Sequence, residues 1–218
     1  MKIEIHNKVY EIPSNEQTLL NALVYVRENL NPSLKFSCNC KSGVCGACSV
    51  RVNNQETLSC EYKVQDGDKV ETLLHKTDTR IRLKKVQSWL HLNSKKNMGE
   101  ASEELIERQS DCILCSSCFS ACPVLHVKPD FLGPYALTKA WRYVVDIRES
   151  DKKGFIDRVQ ENGIWDCTLC GECTLACPVG IDSKADILHL RTKSMQNGLF
   201  DPTPQPDFED DFGFNPNF

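Results

Sequence analysis

Apolar and polar residues alternate along residues 2–5 and 9–12, on either side of His6-Asn7-Lys8, and this period of two predicts a β-hairpin. The period then lengthens. Leu19, Leu20, Leu23, Val24 and Val26 recur at helical spacing. They predict a helix to about Asn29, opened by a Ser14/Gln17 capping box and closed at Asn31-Pro32. Residues 49–52 and 57–60, joined over Asn53-Asn54, predict a second hairpin, and Asp66-Gly67-Asp68 turns into a last strand, Lys69 to Leu73. From there the strand pattern stops. Ile81, Lys85, Val86, Trp89 and Leu92 space like a connecting helix over Arg80–Leu92, and Ser94 to Glu100 is a polar linker. Gly133-Pro134 starts a helix whose inner face is Leu137, Trp141, Val144 and Val145. A further helix is expected near 155–161, and Ser183 is expected to cap a last one through Ala185, Leu188 and Leu190 to about Ser194. The fold class is α+β, strands first and helices after, with domains at 1–92 and 93–198. The acidic, Pro-containing tail at 199–218 has no periodicity and is expected to be disordered in isolation, either a partner-docking segment through its phenylalanines (Phe200, Phe208, Phe212, Phe214, Phe218) or a plain solvated tail.

Thirteen cysteines change this picture. Cys112, Cys115, Cys118 and Cys122, in DCILCSSCFSACP, follow C-x2-C-x2-C-x3-C-P, and Cys167, Cys170, Cys173 and Cys177 repeat it in DCTLCGECTLACP. This is the bacterial ferredoxin run, in which three close thiolates hold one iron–sulfur cube and the fourth, too far along to reach it, ligates the other. The expected sets are therefore crossed: Cys112, Cys115, Cys118 with Cys177, and Cys167, Cys170, Cys173 with Cys122. The proline after each fourth Cys fixes φ where the chain turns away. Pairs of C-x2-C also build zinc ribbons, but those use two pairs per metal and no Cys-Pro. Triples at three-residue spacing do not suit pairwise disulfides.

Cys40-x4-Cys45-x2-Cys48, with Cys60 further on, is the plant-type 2Fe-2S spacing. Gly43 and Gly46 suit a loop wrapped tightly on a cluster, and the second hairpin delivers Cys60 to it. Hairpin, helix, cluster loop and hairpin match a β-grasp ferredoxin domain, followed by an all-α bacterial-ferredoxin-like domain with two cubane sites. Cys38 is left over. It reads as a small buried hydrophobe, with an alternative ligand or a redox thiol as the other readings. His6, His75, His91, His126 and His189 are scattered singly and form no ligand pair.

With 26 basic and 30 acidic residues the net charge is −4, which leaves no basic footprint for nucleic acid. No stretch approaches the roughly 20 apolar residues of a membrane span, and MKIEIHNKVYEI lacks the apolar core of a signal peptide. The chain is expected in a reducing, cytoplasmic compartment.

A plant-type loop (CKSGVCGAC), two bacterial runs, and the intervening PDFLGPYALTKAWRYVVDIRE together resemble the iron–sulfur subunit of succinate dehydrogenase and fumarate reductase. The resemblance runs to about residue 195. It implies an oxidoreductase subunit with no substrate site of its own. Electrons would pass between a FAD flavoprotein subunit and a quinone- or thiol-linked third subunit. Cys40, Cys45, Cys48 and Cys60 would hold the cluster nearest the flavin. It also implies a peripheral position at the inner face of the membrane, or a periplasmic one if a partner with a twin-arginine signal exports the assembly.

Two departures stand out. Family members usually lack a Cys at the position of Cys170 and hold a 3Fe-4S cluster there; the fourth thiolate here implies a second 4Fe-4S cluster, or 3Fe-4S if Cys170 is not a ligand. The family's quinone pocket uses a tryptophan after the first Cys-Pro and a histidine after the first Cys of the second run, where this chain has Val124-Leu125-His126-Val127 and Thr168. Both departures are similar to a branch whose third subunit carries cysteine-rich, heterodisulfide-reductase-like domains. The alternative readings are an iron–sulfur subunit of a glycolate, lactate or glycerol-phosphate dehydrogenase or of heterodisulfide reductase, and a zinc-binding interaction module.

Overall fold

Two asparagine-bearing turns set the strand pairing in a computed structural model of the chain, which describes residues 1–13, 17–75 and 97–202. His6 and Asn7 (φ +49° and +63°) and Asn53 and Asn54 (φ +50° and +68°) adopt left-handed backbone. Paired positive φ values give the tight turn whose twist matches that of the strands it joins. They close β1 (Lys2–Ile5) on β2 (Lys8–Glu11) and β3 (Ser49–Val52) on β4 (Gln55–Leu58). A two-residue turn leaves no slack, so β2 starts at Lys8 and β4 at Gln55, ahead of the residues the alternation marked. β5 (Lys69–Glu71) runs parallel to β1 and antiparallel to β3, completing a mixed sheet in the order β2-β1-β5-β3-β4.

Helix α1 (Leu19–Asn29) buries Leu19, Ala22, Leu23 and Val26 with Ile3, Ile5, Val52 and Val70 of the sheet. Each such large side chain contributes about 1.5–3 kcal/mol by leaving water. Its cap is Thr18, whose hydroxyl accepts the Asn21 N–H at 3.4 Å. Ser14, expected to open the helix, lies outside the described residues.

The C-terminal half has no strand among its described residues. Its helices are α2 (Glu100–Glu103), α3 (Glu107–Ser110), α4 (Ser117–Ser120), α5 (Val124–Val127), α6 (Pro134–Val145), α7 (Lys152–Arg158), α8 (Glu172–Leu175) and α9 (Ser183–Gln196), with a 3₁₀ turn at Ile164–Asp166. Phe119, Phe131, Leu137, Phe155, Ile164 and Leu190 form its core. On α6, Leu137 and Val144 are buried as the periodicity predicts, while Trp141 and Val145 are half-buried. Two helix starts differ from expectation, because in each an aspartate occupies the cap. Asp151 accepts the Gly154 N–H at 2.9 Å, so α7 begins before residue 155. Asp182 accepts the Ala185 N–H at 3.0 Å and caps α9, leaving Ser183 as its first residue. The connecting helix expected at 80–92, the start of the linker, and the tail from residue 203 lie outside the described residues.

The two halves meet through a third apolar cluster, Leu20, Cys48, Leu58 and Cys60, against which Ile113 and Cys115 pack. That contact positions the site.

Candidate metal centres

Cys40 is exposed, Cys45 half-buried, and Cys48 and Cys60 buried at the root of the β3–β4 hairpin. The loop turns its backbone N–H groups onto sulfur: Cys40 donates to Cys45 Sγ at 3.5 Å, Ser42 to Cys40 Sγ at 3.5 Å, and Gly43 to Cys60 Sγ at 3.3 Å. Cys48 and Cys60 Sγ stand 3.3 Å apart. Two glycines make this possible. Gly43 (φ +73°) faces the Glu61 carboxylate so closely that a Cβ would overlap it, and a Cβ on Gly46 (φ +65°) would lie 2.7 Å from Cys115 Cβ and 2.9 Å from the Ile113 carbonyl. The Ser42 N–H, then the Cys45 thiol, hold the Cys40 pKa down to about 6; burial, then the Cys48 thiol, push Cys60 up to about 11.

The bacterial runs fold alike. Leu114 (φ +56°) and Ser116 (φ +71°) of the first match Leu169 (φ +57°) and Gly171 (φ +90°) of the second. The conformation lets the Leu169 N–H donate to Cys167 Sγ at 3.4 Å; burial raises Cys112, and the Leu114 N–H opposes that rise in the same way. Cys112, Cys115, Cys118 and Cys177 line one cavity, walled by Phe119 and Ile181. Burial, then the neighbouring Cys115 and Cys112, raise Cys118 well above the usual thiol range. The other four cysteines are likewise neighbours. Burial dominates at Cys122, and the charges that raise it further come from Cys167 and Cys170. Cys173 is pushed up to about 12 by burial and then by Cys167, Cys122 and Cys170. Cys177 thus lines the cavity of the first run and Cys122 lies near the thiols of the second, and all thirteen cysteines are free of disulfides.

The donor set fits iron–sulfur clusters: thiols only, N–H donors aimed at sulfur, and apolar walls. Among the described residues no three His, Cys, Asp or Glu side chains close on a point as around one ion. In a cube each iron takes one thiolate and sulfides part the irons, so the four Sγ atoms stand further apart than those about a single zinc.

Other site features escaped the sequence reading. Lys139, half-buried on α6, lies beside Cys112 and donates to the Gln109 carbonyl at 2.9 Å. Arg191 of α9 donates to the carbonyls of Ile164 (2.9 Å) and Cys167 (2.6 Å), and its charge, with that of Lys184, lowers Cys167 against the larger effect of burial. No local spacing marks these cations, because the helices that carry them are brought in by packing. Three histidines are not isolated: the His75 and His126 rings stand 4.7 Å apart, and His189 stacks on Trp141 at 4.9 Å. Cys38 is half-buried against Leu20, Cys48, Leu58 and Cys60. Val124 and Leu125 are buried, while His126, Val127 and Thr168 are exposed.

One plant-type and two bacterial-type thiol sets in contact within a single chain define a multicentre iron–sulfur electron carrier. Residues 2–97 match the family model of the 2Fe-2S iron-sulfur cluster binding domain, and residues 108–181 that of the 4Fe-4S dicluster domain. The chain is 33% identical over 215 residues to the fumarate reductase iron-sulfur subunit of Escherichia coli O157:H7, covering 89% of this chain and 88% of that one. It is 30% identical over 223 residues to the 8-methylmenaquinol:fumarate reductase iron-sulfur subunit of Wolinella succinogenes, covering 89% and 70%. Its fold is shared by a chain of the Mycobacterium smegmatis Sdh1 complex in the apo form, with a TM-score of 0.78 at 16% identity, over 93% of this chain and 98% of that one. The chain belongs to the iron–sulfur subunits of the fumarate reductase and succinate dehydrogenase family, and is an electron-transfer subunit of an oxidoreductase.

Proposed function

We propose that the chain carries electrons between a FAD flavoprotein that interconverts succinate and fumarate and a third, quinone- or thiol-linked subunit. Cys40, Cys45, Cys48 and Cys60 hold the 2Fe-2S cluster; Cys112, Cys115, Cys118 and Cys177 a 4Fe-4S cluster; and Cys122, Cys167, Cys170 and Cys173 a second 4Fe-4S cluster. The domains divide at 1–92 and 93–198, with 199–218 as a tail. When bound, the clusters supply one-electron storage at three points; the protein supplies spacing, shielding and charge. The observation that carries this reading is the seating of Gly46 on Cys115, which leaves no side chain between the first sulfur loop and the first bacterial run. Apolar packing of Leu20 and Leu58 keeps water out of that contact. Lys139 beside one thiol set and Lys184 with Arg191 beside another offset the negative charge of the thiolates.

The third subunit is of the cysteine-rich type. Supporting this, Cys170 sits among Cys122, Cys167 and Cys173, and the positions around the last set offer Val127 and Thr168 at the surface. No helix among the described residues is long and apolar enough to cross a membrane; the chain is peripheral, at the inner face, and held there by its partner.

The test is low-temperature electron paramagnetic resonance of the intact, anaerobically purified complex, with its iron content. About ten irons per chain, a silent oxidised sample, and interacting cubane signals on reduction are expected. A strong near-isotropic signal in the oxidised sample would put Cys170 outside the coordination sphere and return the chain to the three-iron, quinone-linked type.

A further inference from the structure

One hydroxyl touches the elements that bear all three thiol sets. Ser120 ends α4 and is 1% exposed. It accepts the Leu74 N–H at 2.9 Å and donates to Glu56 Oε1 at 2.7 Å. Glu56 lies on β4, its side chain 6% exposed, and Arg51 of β3 holds it with Nε at 3.2 Å from the same oxygen. The β3–β4 hairpin is rooted in Cys48, just before Ser49, and in Cys60, shortly after Leu58. α4 itself contains Cys118, and Cys122 follows within its next turn.

Among the described residues, Leu20, Leu58, Ile113 and Cys115 hold the halves together through apolar burial, and Gly46 against Cys115 sets how closely they approach; neither is a directional bond. A charge-assisted hydrogen bond to a buried carboxylate is short and directional. Without the Ser120 hydroxyl, the buried carboxylate loses a donor and the half-buried Leu74 amide its acceptor, and each group is then driven to find water by opening the contact.

We propose that Ser120 is a positioning residue that fixes the separation of the first centre from the two bacterial-type centres. This deepens the ligand assignment made above and rests on it. The iron content and individual spectra of the unaltered complex test that assignment alone, so its failure is distinguishable from failure of the spacing role.

Ser120→Ala and Glu56→Gln are made in the intact complex. The readout is the magnetic coupling between the reduced 2Fe-2S centre and its reduced cubane neighbour, which weakens steeply with separation. The expected result is retention of all three signals, a loss of the coupling-induced broadening of the 2Fe-2S signal in Ser120→Ala, and a severalfold slower passage of electrons to the cubane. Glu56→Gln, which keeps an acceptor but removes its charge, gives a smaller loss in the same direction. Coupling identical to that of the unaltered complex in both variants overturns the proposal. So does loss of a centre in both variants, which would mean that the hydroxyl builds a site and does not space one from another.

Discussion

Replacing Gly46 by alanine tests whether the close approach of the two halves is built into the chain. The substitution meets two separate costs. Gly46 has φ +65°, and holding a residue with a Cβ there costs about 1–2 kcal/mol. The new methyl would also stand 2.7 Å from Cys115 Cβ, 2.8 Å from its Cα and 2.9 Å from the Ile113 carbonyl. Two of these three are backbone atoms, so no flexible side chain can swing away, and the overpacking costs about a further 1–3 kcal/mol. Gly67→Ala separates the two costs. Its φ is +85° with nothing within 4 Å of a Cβ, so only the backbone cost applies. At about 2–4 °C per kcal/mol for a chain of this size, Gly46→Ala is expected to melt at least about 4 °C below the parent, and clearly below Gly67→Ala. The assay is thermal unfolding of the cluster-loaded protein at one fixed scan rate, alongside the coupling between the first two centres. That coupling should weaken in Gly46→Ala and stay unchanged in Gly67→Ala. If the two variants melt together and couple alike, the contact at Cys115 is not a constraint, and the reasoning fails.

Two further outcomes follow from single residues. Cys170 is exposed, so Cys170→Ser should leave the domain folded while converting the last centre to a three-iron cluster, seen as a near-isotropic oxidised signal; an unchanged cluster type would remove Cys170 from the ligand set. Asp186 is 3% exposed, and burial raises its carboxyl to about 6 against the lowering effect of the Gln109 hydrogen bond and of the neighbouring Thr138 hydroxyl. Asp182 adds to the rise and His189 opposes it. A folded-state pKa above the unfolded value of about 3.9 contributes stability that is complete below about pH 4 and lost as pH rises through about 6, up to about 3 kcal/mol. Asp186→Asn keeps an acceptor for the Gln109 amide, which donates at 2.8 Å. The variant should therefore melt higher than the parent at pH 8 and by a smaller margin at pH 5.5; equal margins at both would refute the burial argument.

Much of the site was legible in the chain because cluster ligation is locally coded. Cys112, Cys115 and Cys118 are close in space because they are close in sequence, and a run of turns with positive φ at Leu114 and Ser116 is enough to gather them. The strand pairing is local too, since Asn53-Asn54 dictates a two-residue turn and thereby the register of β3 on β4. The mixed sheet of the N-terminal half and the family resemblance both grow from these short-range signals. What periodicity could not supply were choices between neighbouring residues of similar kind: Thr18 in place of Ser14, and Asp182 in place of Ser183, as the caps of their helices.

The charges and hydroxyls around the sulfurs belong to the tertiary structure alone. Arg191 reaches the Cys167 carbonyl from a residue 24 positions away, and Ser120 reaches Glu56 across 64. His75 and His126, read as isolated, meet edge to face for the same reason. Spacing within a run records which atoms a rigid local geometry can bring to one cluster. Which side chains complete the shell, and how far one centre lies from the next, depends on how two hydrophobic cores dock, and no local pattern carries that information.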